Sequence, residues 1–486
     1  MAAVHTAYLL FALAGLASFA YFRPTTAVLM CVLGGWMLLP NAVYPAPTPQ
    51  RPADAPLPYW VIGLALPSDL VLTKAWVAPV TALLGLLLAD RGRLLRLRPR
   101  WFDLPVVLWY LSPMLALLSG KPTSPPALLA VLYLAGSWGV PWLLGRACFA
   151  SAEGLRQLAG GLVGATLVYL PLAAIETVTG PVAYGWLYGE HPYRLDGSDR
   201  YVGHRPIVFF EHGNQYAIWT AAVALAAIAL AVSPGRRPWH VAAAALLTVA
   251  AVASQSVGAI VLLGAALFVL AVLHVIPPRV FVVVTVGVKL LLIGVYAAAL
   301  TPLRHTAHEL PSVRRAVELL RDAGRHSLAW RLARDEDHLR YAREHPFTGH
   351  GRWDWWDRPD APPARPWGLW QLAFGQYGGP ATLAAAAVWL LPPLLTLWRL
   401  PRRQRLLSAT SPTATAPTGT SPPGSIPTGT PAGDGPTPTE LWVLAAAMSL
   451  LLLVAAADAV LNSFLPLPLL AAAGAVSGLG TPRSLA

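Results

Sequence analysis

Two stretches of this chain collect the residue types that handle anionic, sugar-bearing molecules. The first, Ala183 to Trp219, carries Arg194, Arg200 and Arg205, His191, His204 and His212, the acids Glu190, Asp196, Asp199 and Glu211, and many aromatic rings. An arginine fork can grip two pyrophosphate oxygens at once, and aromatic faces can cover the apolar faces of sugars. Arg205 and Asn214 stand out because they press against the start of an apolar run. A belt of interfacial rings with solvated charges around it is the competing structural account of this stretch.

The second stretch runs from about Pro302 to Pro366. In SLAWRLARDEDHLRYAREHP, Leu328, Leu332, Leu339 and Ala342 recur near helical spacing, while Arg331, Arg334 and His338 share another face. One face would anchor on lipid or on other helices and the other would present cations. Asp335, Glu336 and Asp337 can pair with neighbouring arginines, which accounts for part of the charge without any ligand. HPFTGHGRWDWWDR then adds His345 and His350, Gly349 and Gly351 as points of close backbone approach to a ligand, and Trp353, Trp355 and Trp356 as stacking surfaces.

Something must hold these residues, and composition says what it is. Of 486 residues, 56% are hydrophobic and only 12% charged, which describes a chain dissolved mostly in lipid. Apolar runs able to cross a core of roughly 30 Å recur at 5–22, 25–44, 69–89, 104–119, 127–149, 155–178, 215–233, 239–254, 256–276, 280–301, 367–398, 440–461 and 464–480. Each should be helical, because lipid offers backbone groups no other partner. The expected fold is all-α: a polytopic bundle of about 12–13 transmembrane helices with two large extracytoplasmic loops.

Short basic loops stay in the cytoplasm. With the first residue outside, Arg23, the run Arg91 to Arg100, Arg146, Arg156, Arg236, Arg237, Arg279, the cluster Arg399 to Arg405 and Arg483 all fall inside. The outer segments are then 45–68, 179–214 and 302–366, and the arginine-rich last loop sits where topology disfavours its charge. The expected organisation is N-terminal helices over 1–178, a core over 179–398, a basic and Ser/Thr/Pro-rich cytoplasmic linker over 399–439, disordered in its 408–438 part, and C-terminal helices over 440–486.

Within the apolar runs, Lys74, Glu176, Lys289 and Asp458 are conspicuous, since each costs on the order of 2–3 kcal/mol if left at mid-membrane. Lys74, Glu176 and Asp458, with Asn462 beyond the last, fall near outer helix ends and would floor an outward-facing polar cavity. Cys31 and Cys148 both sit inside runs, so neither a disulfide framework nor a Cys/His metal centre is expected. No cofactor is called for. The net charge of +12 does not indicate nucleic acid, since topology explains its inner share and its outer share lies beyond the cytoplasm.

The run from Arg205 through His212, Gly213 and Asn214 into an apolar span resembles a signature of the bacterial O-antigen ligase and polymerase superfamily. SLAWRLARDEDHLRYAREHPFTGHGRW resembles that superfamily's second periplasmic segment, and GLWQLAFGQYGGPA the start of its next helix. The likeness covers roughly Glu176 to Leu391. Two departures stand out: Val257 replaces the arginine of a Ser-Arg-Gly found in many members, and Pro366 and Trp367 stand near where ligases carry a histidine. The departures favour a polymerase-like or divergent member.

The resemblance implies glycosyl transfer at the outer leaflet of a bacterial inner membrane, from an undecaprenyl-pyrophosphate-linked oligosaccharide to a second lipid-linked glycan or another acceptor, without metal. Arg205 and Arg331 are the expected pyrophosphate ligands, with Arg194 and Arg334 secondary. His338, Asn214, Trp353 and Trp370 would bind substrate, and Glu176, Glu211, His212 or His345 would supply the base. Membrane lipid and other polysaccharide-assembly proteins are the expected partners. A lipid-linked glycan flippase and a non-enzymatic assembly scaffold are the alternatives from other classes; a flippase would place its charges near the membrane midplane rather than in two outer loops.

Overall fold

The computed structural model describes residues 2–41, 64, 72–189, 191, 198–200, 202–273, 275–287, 311, 315, 318, 338–357, 366–401 and 437–479. Arg194, Arg331, Arg334, Lys289, the Pro-rich segment 45–58 and nearly all of the 408–438 linker lie outside them. The described chain is a polytopic bundle of membrane helices. In order these are α1 (Ala2–Tyr21), α2 (Pro24–Leu38), α3 (Lys74–Leu95), α4 (Leu104–Leu118), α5 (Ala127–Phe149), α6 (Ala152–Thr179), the short α7 (Ala183–Tyr188), α8 (Gly213–Val232), α9 (Pro238–Ala253), α10 (Val257–Val272), α11 (Pro278–Gly287), α12 (Leu369–Arg399), α13 (Pro438–Leu461) and α14 (Leu469–Gly478). Among the described residues, eight helices are long and apolar enough to cross a membrane, and α2, α9, α10, α11 and α14 are shorter apolar helices.

Local chemistry sets the boundaries. Pro24, Pro238 and Pro438 open their helices at a position where a missing N–H costs nothing. The Ser151 hydroxyl accepts from the Gly154 amide to cap α6, and the Thr437 hydroxyl accepts from the Glu440 amide to cap α13. The apolar run at 239–276 divides at Ser254 to Ser256, as its polar residues imply, and Gln255 takes a left-handed φ of 50° there. Ala-rich α8 is buried almost all round, so it is the central post on which α6, α9 and α13 pack.

One expectation fails at the C-terminal end. The apolar run at 464–480 is not a continuous helix: 462–468 is non-helical and α14 begins only at Leu469. Pro466 and Pro468 explain the break, since each lacks an amide and crowds the preceding turn. Irregular backbone at this depth is tolerable only when covered by protein. It is covered here, with Ser463, Phe464, Leu465 and Leu467 all buried.

The bundle has two chemically distinct ends. At one, Arg146 pairs with Asp103 and donates to the Arg98 carbonyl, Arg156 grips Glu440 with two hydrogen bonds of 2.7 and 2.6 Å, and Arg279 donates to the Trp398 carbonyl. At the other end lie the starts of α3, α8 and α12, the close of α6 and α13, the α9–α10 break, and the loops between them. The 205–211 turn and the 338–357 segment belong to this second end, called here the head of the bundle.

α14 packs on α5 with almost no gap: a Cβ at Gly474 would stand 2.1 Å from the Trp142 carbonyl oxygen. Gly474→Ala must therefore push the two helices apart, at a cost of about 2 kcal/mol. The expected result is a lower melting temperature for the purified protein, whereas Gly264→Ala on α10, where an added Cβ meets nothing within 4 Å, should not lower it.

Candidate active site at the head of the bundle

The turn 205–211 leaves helical geometry inside the protein, so its amides need partners. Glu176, in the last turns of α6 and fully buried, supplies them. One carboxylate oxygen accepts from Ile207 N–H at 2.8 Å and Val208 N–H at 2.7 Å, the other from Ala183 N–H at 2.9 Å. Val208 is held at a φ of 52°, a conformation a β-branched residue rarely adopts without such restraint. Lys74, at the start of α3, donates to the Phe209 carbonyl from beneath and faces the Trp36 ring at 5.0 Å, with Glu211 as its electrostatic counterpart. The Tyr169 hydroxyl oxygen accepts from the Phe209 N–H at 2.7 Å. Lys74 and Glu176 thus converge on one turn, and Asp458 lies elsewhere at the head.

That turn presents Arg205. Its guanidinium donates to the Ser254 carbonyl at 3.1 Å and the Gln255 carbonyl at 3.1 Å, closing the C-terminal end of α9, and to Asn214 Oδ1 at 2.8 Å. The carbonyls at a helix C-terminus carry partial negative charge, so they suit a cation and fix the plane of the fork. Asn214 Nδ2 reaches Asn462 Oδ1 at 3.4 Å, and Asn462 Nδ2 donates to Asp458 Oδ1 at 2.8 Å. The arginine is thereby connected to α13. His212 caps α8 by accepting the Asn214 amide at Nδ1, 3.0 Å away, and its ring lies flat on Phe464 with centroids 5.0 Å apart. An Nδ1 that accepts leaves the proton of the neutral ring on Nε2, so this histidine is set up as a donor.

The 338–357 segment is clamped between two elements. On one side, His350 N–H donates to Gly375 O, Gly351 N–H to Gln376 O, and Gly379 N–H to Pro346 O, at 2.8, 2.9 and 2.7 Å. These bonds exist because α12 kinks at Gly378, whose φ of 81° exposes helix backbone to the incoming strand. On the other side, Ser124 N–H donates to Gly351 O, and Trp353 N–H donates back to Ser124 O. His350 is sandwiched by rings, 4.2 Å from Tyr341 and 5.9 Å from Trp355, with its Nε2 3.1 Å from the Tyr341 carbonyl oxygen. His345 sits 4.8 Å from His350, and Lys121 Nζ lies 3.0 Å from both nitrogens of the His345 ring.

Several residues therefore sit differently from what their types suggest. Trp353, Trp355 and Trp356 are buried, Trp353 edge-on to Trp356 at 4.8 Å, so none offers a face to a sugar arriving from solvent. His338 is 1% exposed and lies beside Trp355, and Leu339 and Ala342 are buried with it rather than facing lipid. Gly349 and Gly351 admit protein backbone where a ligand was expected. Trp370 is half-buried in the first turn of α12, next to Gly368. Arg205, His212 and Asn214 form one cluster and His338, His345 and Trp353 another. The head of α12 bridges them, since a Cβ at Gly368 would stand 2.5 Å from the Val460 carbonyl oxygen near the end of α13.

Two residues at the head escaped the sequence reading. Lys121 is one of three lysines in a chain that otherwise uses arginine, which is the only signal it gave. Gln371 is 1% exposed, and among the described residues neither its amide nitrogen nor its amide oxygen has a hydrogen-bond partner. It shares a face of α12 with Gly375, whose missing Cβ is replaced by the Trp355 ring. A buried amide of this kind matches a hydroxyl that can both donate and accept.

Burial holds the His350 imidazole below its ordinary value of 6.5; the Tyr341 carbonyl and Glu344 oppose this, and His345 and Lys121 reinforce it. The unfolded chain then binds a proton at a pH where the folded one does not, so stability is complete above about pH 6.5 and falls with acidification. Thermal unfolding from about pH 7 to about pH 5 should show a smaller loss for His350→Gln than for the unaltered protein. Parallel losses would contradict this.

Residues 242–375 match the family model described as O-Antigen ligase. The matched segment takes in α9 from its second turn, α10, α11, the clamped 338–357 segment and the first turns of α12 with Gln371 and Gly375; it begins after Arg205, His212 and Asn214. A search of curated proteins returned no match. The match makes residues 242–375 an O-antigen ligase-like segment, and it supports a function of the membrane glycan ligase or polymerase type.

Proposed function

We propose that the protein polymerises a polyprenyl-pyrophosphate-linked glycan at the outer face of a bacterial inner membrane. An acceptor hydroxyl attacks the anomeric carbon of the donor, a new glycosidic C–O bond forms, and the bond from that carbon to the pyrophosphate oxygen breaks. The electron pair leaves with the pyrophosphate and the hydroxyl proton passes to a base. Pyrophosphate is a good leaving group, so the main task is to neutralise the charge that grows on it, which preorganised arginines do well in a site shielded from water.

The observation that carries the reading is Arg205, held at the head of the bundle by two helix-end carbonyls and Asn214. Arg331, with Arg194 and Arg334, completes the pyrophosphate grip in this proposal. Of the four candidate bases, Glu176 accepts three backbone amides, Glu211 accepts from Gln215 at 3.0 Å, and His212 spends its accepting nitrogen on the cap of α8. The His345 side chain holds no backbone group among the described residues, and its ring faces Lys121 instead. Glu176 becomes a positioning residue. Gln371 and Trp370 would meet sugar hydroxyls and rings. Orientation follows the short basic loops, with the N-terminus outside and the C-terminus cytoplasmic.

A ligase that moves the glycan to a different acceptor is the second reading, favoured by the description of the matching family. Pro366 and Trp367, where ligases carry a histidine, weigh against it. Purified protein incubated with a prenyl-pyrophosphate oligosaccharide alone should yield products longer by whole repeats; product formed only with an added foreign acceptor would establish the ligase. Arg205→Ala should lower the rate by roughly 10²–10³ with folding retained. Glu176→Ala should instead reduce folded yield, by leaving three buried amides without their acceptor, about 3 kcal/mol in all. Extension at the normal rate by Arg205→Ala would overturn the assignment, and movement of substrate across the bilayer without new product would indicate a flippase.

A further inference from the structure

We propose that Lys121 and His345 form a second phosphate-binding subsite, distinct from Arg205, that receives the pyrophosphate of the acceptor lipid. The inference rests on the polymerase reading, in which both substrates carry a polyprenyl pyrophosphate. Lys121 Nζ stands 3.0 Å from each nitrogen of the His345 ring, and His350 lies 4.8 Å from His345. Among the described residues no carboxylate lies within ion-pair distance of Lys121. A lysine placed against imidazoles without a counter-ion is unfavourable on its own and becomes favourable when an anion joins it. Glu344 acts on His350 in the opposite sense to Lys121 and His345.

The lysine is not a loose surface group that happens to lie there. Its own amide donates to the Ala116 carbonyl, and, three residues on, Ser124 ties the loop to the clamped segment through reciprocal hydrogen bonds with Gly351 and Trp353. Gly351, at a φ of 73°, is bare so that Lys121 and Pro122 can sit on it: a Cβ there would be 2.6 Å from the Pro122 carbonyl oxygen and 3.3 Å from the Lys121 Cβ. Preorganised cations of this kind lose little freedom on binding. The two subsites lie against different levels of α12. Asn462, two links from Arg205, follows the end of α13 that abuts Gly368, while His350 bonds Gly375, roughly 10 Å further along the helix. That offset separates two pyrophosphates enough for one glycan to reach the other's anomeric carbon, and buried Gln371 lies between the two levels.

Phosphate could also arrive on an anionic phospholipid, so the test carries both. Full-length protein in nanodiscs is titrated with polyprenyl pyrophosphate lacking sugar, and bound lipids per chain are counted by native mass spectrometry. Two are expected for the unaltered protein, one for Lys121→Ala and one for Arg205→Ala, with Lys121→Arg restoring the second. In the transfer assay Lys121→Ala should raise the acceptor concentration for half-maximal rate about tenfold, leaving the donor's unchanged. One lipid bound by the unaltered protein, or two by Lys121→Ala, overturns the proposal; so does phosphatidylglycerol binding that competes at equal concentration, which would make the subsite one for headgroups. Absence of any transfer by the unaltered protein, with the lipid counts as expected, would instead sink the polymerase reading and leave the subsite standing.

Discussion

Backbone that leaves helical geometry inside a membrane bundle must have its amides satisfied, and at the head of this one a single carboxylate does most of that work. Glu176 takes up three amides from two separate pieces of chain, and Lys74 closes the other side of the same turn through the Phe209 carbonyl. Everything presented to a substrate by the first cluster depends on that turn. Arg205 begins it, Glu211 ends it, His212 follows it, and Asn214 lies in the first turn of the helix it feeds. Charges that look like reagents in an apolar run are here the fasteners that let a non-helical strand exist at such depth.

The second cluster solves the same problem by a different route. Instead of a carboxylate, it uses helix backbone: the kink at Gly378 opens carbonyls of α12 to the 346–351 strand, and the loop after α4 takes the other edge. The aromatic residues pack the space between, so Trp353, Trp355 and Trp356 act as filler for a joint. The result is a rigid head in which a cation from the loop after α4, a histidine from the clamped segment and an arginine from the turn after α7 are all set by main-chain contacts. Precise placement of charge requires such rigidity, because a misplaced donor loses most of its value against a developing negative charge.

How much of this was legible depended on whether the signal was local. Membrane helices were readable because lipid forces long apolar runs, and even the division at Ser254 to Ser256 announced itself by polarity. The segment 464–480 misled for the same reason, since Pro466 and Pro468 break a helix without lowering hydropathy. Arg205 and Asn214 were visible from their position at the mouth of an apolar run. Lys121 was not, because its meaning comes from a contact with His345 across 224 positions of sequence. Burial of the tryptophans was equally hidden: an aromatic cluster in a polar segment reads the same whether its partner is a sugar or α12. Arg331 and Arg334, legible as one face of a helix, fall outside the described residues.

The covered strand between α13 and α14 also constrains how the chain can be built. A helix of ten residues rises about 15 Å, half the thickness of a hydrocarbon core, and the segment before it is non-helical. Such a segment can settle only once α5 and α8 are standing to receive it, the first by its glycine-lined face and the second through Gln215, which donates to the Leu465 carbonyl. This segment is thus a keystone: it locks helices that precede it by hundreds of residues, and stacks Phe464 on His212 only when they have assembled.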